Sequence, residues 1–343
     1  MDSAQTSTDA QQNRDLFPML ITGVAGVPGY NALDYFRKKY PGQVIGTRRV
    51  DNWRLQGEGV RALNAYDADG MKRLFDEHEF ATVINCEGTC RLKSCEYDPQ
   101  NARRINVDSV NGLLAAASEA TRIITLSIDL VYSGTGSGNH VEDDPTDPVT
   151  VYGETMVDAE QMFLSERADA CILRISLPMG VSFNGHAGAI DWIGSRFAKS
   201  KPATLYYDEV RTPTYTDCLN GLFETILCGD LSGLYHAGAP RHLSLYEIGQ
   251  VINRLGGYAP DHLMGRPRGE AGPIPPRAGN VTMDSSKLRT ALGYQPFDPW
   301  PLSDEHVPTH RDWHRERSTS ESGSPDYLLE VLARNPGKSG SNL

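Results

Sequence analysis

Tyr152 and Met156 lie one helical turn apart in the stretch "VYGETMVDAE", Val151 to Glu160, and their spacing places both side chains on one face of the helix that this stretch begins. A phenol can pass a proton to or from a reacting oxygen, and a cation one turn away would make it better at both. Methionine carries no charge and is only a weak acceptor. The phenol therefore has no cation one turn along the helix.

A second constellation is Gly23, Gly26 and Gly29 in "TGVAGVPG", between an apolar strand and a helix. Glycines there let a dinucleotide pyrophosphate approach the backbone and a helix N-terminus, which attracts anions. After the next strand, "QVIGT", come Arg48 and Arg49. An acid at that point would accept the ribose hydroxyls of NAD, whereas an arginine pairs with a 2′-phosphate, so NADP(H) is expected over NAD(H).

Other reactive side chains suggest less. Cys86, Cys90 and Cys95 cluster without CxxC spacing or an adjacent histidine, and read as reduced thiols. His306, His310 and His314 have the four-residue spacing of helical ligands, but Pro308 interrupts that helix and no metal is expected.

The elements that must position these groups are regular from Phe17 onward. The strands "FPMLIT", "QVIGT", "ATVIN", "RIITLS" and "ACILRI" alternate with helices. Those helices carry Leu33, Phe36 and Tyr40, then Met71, Leu74 and Phe75, then Val107, Val110, Leu114 and Ala117 on their apolar faces. This order predicts an α/β fold with a Rossmann-type, doubly wound parallel sheet and a smaller C-terminal substrate-binding region. Residues 16–176 form the nucleotide-binding domain, with 210–238 returning to it, and 177–314 mainly the substrate region. Two further helices are expected, one with Leu219, Leu222, Phe223 and Ile226, and one capped by Ser244 and Glu247 that buries Leu245, Ile248, Ile252 and Leu255. Residues 1–15 are polar and expected to be disordered, and 315–343 form a polar tail in which "YLLEVLA" reads as a short docking helix.

A length of 343 residues with 39% hydrophobic and 22% charged content suits a soluble globular protein. The net charge of −11 speaks against nucleic-acid or anionic-membrane partners. With no apolar run of membrane-spanning length and no signal-peptide layout, a cytoplasmic protein is expected.

Together these stretches resemble the extended short-chain dehydrogenase/reductase family, the NAD-dependent epimerase/dehydratase superfamily. Within it the likeness is strongest to the dTDP-4-dehydrorhamnose reductases, from about Phe17 to Trp300. "TGVAGVPG" matches that family's TGxxGxxG, and "VINCEGTCRLKSCE" and Asn106-Val107 resemble its fourth strand and following helix. "LSIDLVYSG" and "EDDPTDPVTVYGET" resemble the approach to its tyrosine, and "DEVRTPTYTDCL" and "PPRAGNVTMDSSKL" its late segments.

The resemblance implies that Tyr152 protonates a sugar C4 oxygen while nicotinamide delivers hydride, with Ser127 hydrogen-bonding the same oxygen. It implies Asn85 at the cofactor, Asp67 near its adenine, and Arg211 and Arg277 at the phosphates or sugar of a nucleotide-sugar substrate. Met156 stands where the family has lysine. A lysine worth ~2 to 3 pKa units corresponds to roughly 3 to 4 kcal/mol, or about 10²- to 10³-fold in rate. Lys93, His140 or another cation reaching in from a loop would restore the charge. The expected function is thus an NADP(H)-dependent reductase of a 4-keto-6-deoxy sugar nucleotide with altered catalysis. The alternatives are a catalytically weak cofactor-binding regulator, similar in logic to the beta subunit of methionine adenosyltransferase, and an epimerase or dehydratase. The oligomeric state stays open, a homodimer among the options.

Overall fold

The computed structural model describes residues 16–317 and 323–334. The stretch 1–15 lies outside them, as do residues 318–322 and 335–343 of the tail. In chain order the first six strands are β1 (Met19–Thr22), β2 (Val44–Arg48), β3 (Val60–Ala62), β4 (Thr82–Asn85), β5 (Arg122–Ile128) and β6 (Cys171–Ile175). Four short ones follow: β7 (Pro178–Met179), β8 (Ala203–Tyr206), β9 (Val210–Arg211) and β10 (Thr214–Tyr215). The last are β11 (Gly233–Ala237), β12 (Leu243–Ser244) and β13 (Leu263–Arg266).

β1 to β6 and β11 form one seven-stranded sheet in the order β11-β6-β5-β4-β1-β2-β3, with every neighbouring pair parallel. The winding reverses between β1 and β4, and a crevice for a ligand opens at the carboxyl ends of strands at such a point. Both faces of the sheet are covered, so its central strands are mainly apolar on both sides. Met19, Ile21 and Ile84 enter the core on one face, while Leu20, Val83 and Ile123 enter the core on the other.

The helix Val27–Lys39 buries Leu33 and Phe36 and stops at Tyr40, ahead of Pro41. The helix Ala68–His78 buries Met71, Leu74 and Phe75 as its periodicity predicts. The next helical run departs from expectation. Between the helices Pro99–Arg103 and Ser109–Ala116 the chain takes a π turn, Arg104–Asp108. A π turn admits one extra residue and rotates the buried face. Ile105, Val107, Val110 and Leu113 are buried, whereas Leu114 and Ala117 are only partly covered. The edge strand β3 is short and half-exposed and gave no sequence pattern.

The remaining strands pair in three small ladders, β7 with β10, β8 with β13, and β9 with β12. Helices Ala189–Ala198, Thr216–Leu227 and Leu245–Leu255 pack around them. The last has its expected capping box, with the Glu247 N–H donating to Ser244 Oγ at 3.2 Å and the Ser244 N–H donating to Glu247 Oε2 at 2.7 Å. Leu245 is only half-buried on it. The tail helix Pro325–Leu332 docks on this side, with Leu328 and Leu332 buried and the Trp300 indole donating to the Leu332 carbonyl at 2.7 Å. Among the described residues no helix is long and apolar enough to cross a membrane.

Candidate active site

The glycine loop joins β1 to the helix Val27–Lys39 beside the point where the winding reverses. Gly23 takes φ +65°, and a Cβ there would sit 2.3 Å from the Cys86 carbonyl oxygen. A Cβ on Gly29 would sit 2.5 Å from the Gly23 carbonyl oxygen. Larger residues would push loop and helix apart. Gly26 is the N-cap, no side chain caps the helix, and its first turn holds no acid. Its positive end is therefore free to take an anion, and the loop fits a dinucleotide pyrophosphate.

Of the two arginines expected at the cofactor, Arg49 is the one that stays near the surface. Arg48 is buried and donates to the backbone carbonyls of Leu55 and Arg49, which corrects its expected role at a 2′-phosphate. A buried guanidinium needs acceptors, and the loop after β2 supplies them. Arg49 pairs with Asp51. Asp67, expected near adenine, is exposed and caps the helix Ala68–His78 by accepting the Gly70 N–H at 3.0 Å. Asn64, nearer the end of β3, accepts the Val50 N–H at 3.2 Å and holds the loop after β2. Asn85 is buried at the end of β4, where it accepts from Thr22 Oγ1 at 2.5 Å and donates to Thr125 Oγ1 at 3.0 Å. It pins β1, β4 and β5 together below the crevice.

Tyr152 is the second residue of the helix Val151–Glu166, which is capped by Thr150 accepting the Gly153 N–H at 3.0 Å. A Cβ on Gly153 would lie 2.3 Å from the Leu130 carbonyl oxygen, so the helix start packs directly on the turn after β5. Asn106 fixes the helix from the other side. It donates to Thr155 Oγ1 at 2.8 Å and accepts the Thr89 N–H at 2.7 Å.

Tyr152 and Met156 are both buried in one small apolar cluster against which Ile128 packs. Ser127 does not face them. Its hydroxyl donates to Glu160, which in turn holds Arg174 at 2.7 Å. This corrects the expected pairing of Ser127 with Tyr152: successive side chains of a strand point to opposite faces, and Ile128 is the one on the tyrosine side. Burial, then Cys90, Asp129 and Cys95, push the Tyr152 hydroxyl well above the usual range of a phenol. None of these neighbours is a cation. Lys93 is exposed over the Tyr97 ring at 5.6 Å, and His140 stacks on Tyr132 at 4.0 Å.

Arg211 and Arg277 are brought together by Glu209, a residue that the motifs did not single out. Arg211 Nη2 lies 3.8 Å and Arg277 Nε 3.6 Å from its carboxylate. Arg211 Nε also lies 3.8 Å from Asp129. Arg211 Nη1 is buried with no hydrogen-bond partner, and Arg277 lies over the Tyr206 ring at 4.7 Å. Through Asp129 this pair connects to Tyr152, so proton donor and guanidinium groups belong to one neighbourhood. Such an arrangement can hold a phosphorylated sugar and protonate an oxygen on it.

The three histidines have separate partners. His306 meets the Tyr327 hydroxyl at 3.3 Å, His310 meets Glu316 at 3.0 Å, and buried His314 accepts from Gln250 Nε2 at 3.2 Å. Among the described residues no group of three or more histidine, cysteine or carboxylate side chains is gathered for a metal.

The chain is similar to known proteins over most of its length. It is 27% identical to the protein named probable low-salt glycan biosynthesis reductase Agl14 of Haloferax volcanii, over 56% of this chain and 65% of that protein. It is 25% identical to methionine adenosyltransferase 2 subunit beta of Pongo abelii, over 79% of this chain and 81% of that one. Identity to dTDP-4-dehydrorhamnose reductase of Mycolicibacterium smegmatis is 27%, over 76% of this chain and 80% of that one. The solved dTDP-4-dehydrorhamnose reductase of Bacillus anthracis in complex with NADP has the same fold, with a TM-score of 0.71 at 17% identity, over 82% of this chain and 95% of that one. The model of the RmlD substrate binding domain matches residues 18–304, and the chain belongs to that family.

Proposed function

We propose that this chain is a nicotinamide-dependent reductase of a nucleotide-linked 4-keto-6-deoxy sugar, a cytoplasmic enzyme slowed by the loss of the helpers of Tyr152. One observation carries the reading: a buried tyrosine with its pKa raised, joined through Asp129 to two arginines, beside a glycine loop built for a pyrophosphate. Gly23, Gly26 and Gly29 would hold the cofactor, which supplies hydride when bound. Arg49 would meet a 2′-phosphate and favour NADPH over NADH. Arg211 and Arg277 would bind the phosphates of the substrate.

Direction follows from the phenol. Tyr152 stays protonated across the physiological range, so it can hydrogen-bond a ketone oxygen and give up its proton as that oxygen becomes an alkoxide. The reverse reaction needs a phenolate, which burial and Asp129 disfavour. An activity that starts by oxidising a sugar alcohol would need that phenolate, so the reductase reading is the stronger. The test is NADPH-dependent reduction of a dTDP-4-keto-6-deoxyhexose, with Tyr152→Phe expected to abolish it.

A second reading is a binding protein that regulates a partner, favoured by Met156, by Ile128 and by the groups acting on the phenol among the described residues, Cys90, Asp129 and Cys95, all of which oppose the phenolate. It replaces the first if Met156→Lys binds the cofactor well and still reduces no keto sugar.

A further inference from the structure

The adenosine end of the cofactor cleft carries a carboxylate that the proposed chemistry does not use. Glu87 lies two residues past the end of β4, with its backbone against the glycine loop. A Cβ on Gly23 would lie 2.7 Å from the Glu87 nitrogen. The Arg49 charge and the Gly23 N–H draw the Glu87 carboxyl pKa down and Asp51 draws it up, so the group is within electrostatic reach of both the glycine loop and the loop after β2. The residue is partly exposed, yet its Oε2 is sealed from solvent without a hydrogen-bond partner.

In a dinucleotide-binding sheet the pyrophosphate rests on the glycine loop, and the adenosine ribose lies between that loop and the end of the second strand. Glu87 stands between those same two landmarks. An acid that accepts the ribose hydroxyls ordinarily projects from the second strand, where this chain has Arg48 and Arg49 instead. We infer that Glu87, entering from β4, is the residue that discriminates at the ribose 2′ position: ionised, it accepts a free 2′-hydroxyl and opposes a 2′-phosphate. Arg49 draws the phosphate in, but Asp51 already offsets that charge. Arg48 is bound to backbone carbonyls, so Glu87 tips the balance.

The discrimination is graded by pH. Burial pushes the Glu87 carboxyl up to about 7, with Arg49 lowering it and Asp51 raising it. Cys86, the adjoining titratable group, is pushed up by burial and by Glu87 and stays neutral. Below that pH the carboxyl is protonated and Arg49 favours NADPH; above it the carboxylate opposes the 2′-phosphate and weakens that preference.

The inference rests on the dinucleotide-binding part of the proposed function and not on Tyr152. The test is calorimetric titration of the full chain and of Glu87→Gln with NADPH and NADH at pH 6 and pH 8. For the parent, the NADPH-to-NADH affinity ratio should fall about tenfold from pH 6 to pH 8, beyond any change seen in Glu87→Gln. NADPH binding near pH 7 should also take up a proton, seen in buffers of different ionisation enthalpy, and Glu87→Gln should reduce that uptake. The variant control separates titration of Glu87 from that of the 2′-phosphate. An affinity ratio that responds to pH identically in both proteins overturns the inference alone. If neither protein binds either dinucleotide, the cofactor reading and this inference fall together.

Discussion

At Tyr152, burial and the Asp129 carboxylate both act against the phenolate, so a cation one turn away is the change with the most to offer. Met156→Lys is expected to raise turnover by up to about 10²- to 10³-fold, the equivalent of ~2 to 3 pKa units. It should also move the pH optimum down, and Tyr152→Phe should remove activity in both backgrounds. Steady-state kinetics across pH checks all three. Ile128→Ser would add the second donor that Ser127, turned toward Glu160, does not supply. Glu87 gives a stability prediction with a definite sign. Its folded pKa of about 7 exceeds the ordinary 4.5, so the native state holds the proton more tightly. Stability contributed by this group is full below pH 4.5 and declines as pH rises toward 7. The loss is at most about 3 kcal/mol. Buried Asp129 and Glu209, also raised, act in the same direction. Buried His236 and His314, with pKa lowered to about 4 by burial, act the other way, so the signature is a comparison: from pH 5 to pH 8 the unfolding midpoint of the parent should drop relative to that of Glu87→Gln.

Among the elements, two helix starts separate capping from catalysis. Asp67 caps the helix Ala68–His78 through the Gly70 N–H. Asp67→Ala should cost about 1 kcal/mol of stability while leaving NADPH affinity unchanged. A loss of affinity with stability intact would restore the adenine contact that the motif implied. Gly153 allows the helix Val151–Glu166 to start against the Leu130 carbonyl, 2.3 Å from where a Cβ would lie. Gly153→Ala should displace the helix start, costing ~1 to 3 kcal/mol, and reduce turnover because Tyr152 is the adjoining residue. Denaturant melts and kinetics on the same variant test both effects. The π turn at Arg104–Asp108 acts at this scale too, since it turns Asn106 toward Thr155 and Thr89.

Across the whole molecule, late segments pack back on early ones. Glu224, on the helix Thr216–Leu227, accepts from Tyr35 and Tyr40 at 2.8 Å each and pairs with Lys39, joining that helix to the one after the glycine loop. The tail helix closes over Trp300 and Tyr215. Deleting residues 318–343 would take Leu328 and Leu332 out of the core and uncover the apolar surface they pack on, each worth ~1.5 to 3 kcal/mol of burial. It would also leave the Trp300 indole without its acceptor. The unfolding midpoint should drop by on the order of 5 °C or more, measured by calorimetry, and an unchanged midpoint would show the tail to be dispensable.

The glycine trio, the strand–helix alternation and the capping box of Ser244 and Glu247 were legible in the sequence because each depends on neighbours in the chain. A turn that needs glycine, a 3.6-residue period and a side chain bonding the next turn are local matters. The absence of a lysine at Met156 was legible for the same reason. The rest depended on segments far apart. "RIITLSI" is apolar toward both faces of a covered sheet, so its pattern could not say whether Ser127 or Ile128 meets the tyrosine; the packing of the helix Val151–Glu166 on one face decided it. Arg48 and Arg49 look alike in sequence, and only the folded loop after β2 bound one and left the other near the surface. Where Lys93 and His140 go became visible only in the fold, with Lys93 over Tyr97 and His140 on Tyr132. Glu87 became a candidate only when β4, the glycine loop and the loop after β2 converged on it. Charge and burial at a site are sums over whatever the fold brings near, and those neighbours are set by tertiary packing rather than by chain order.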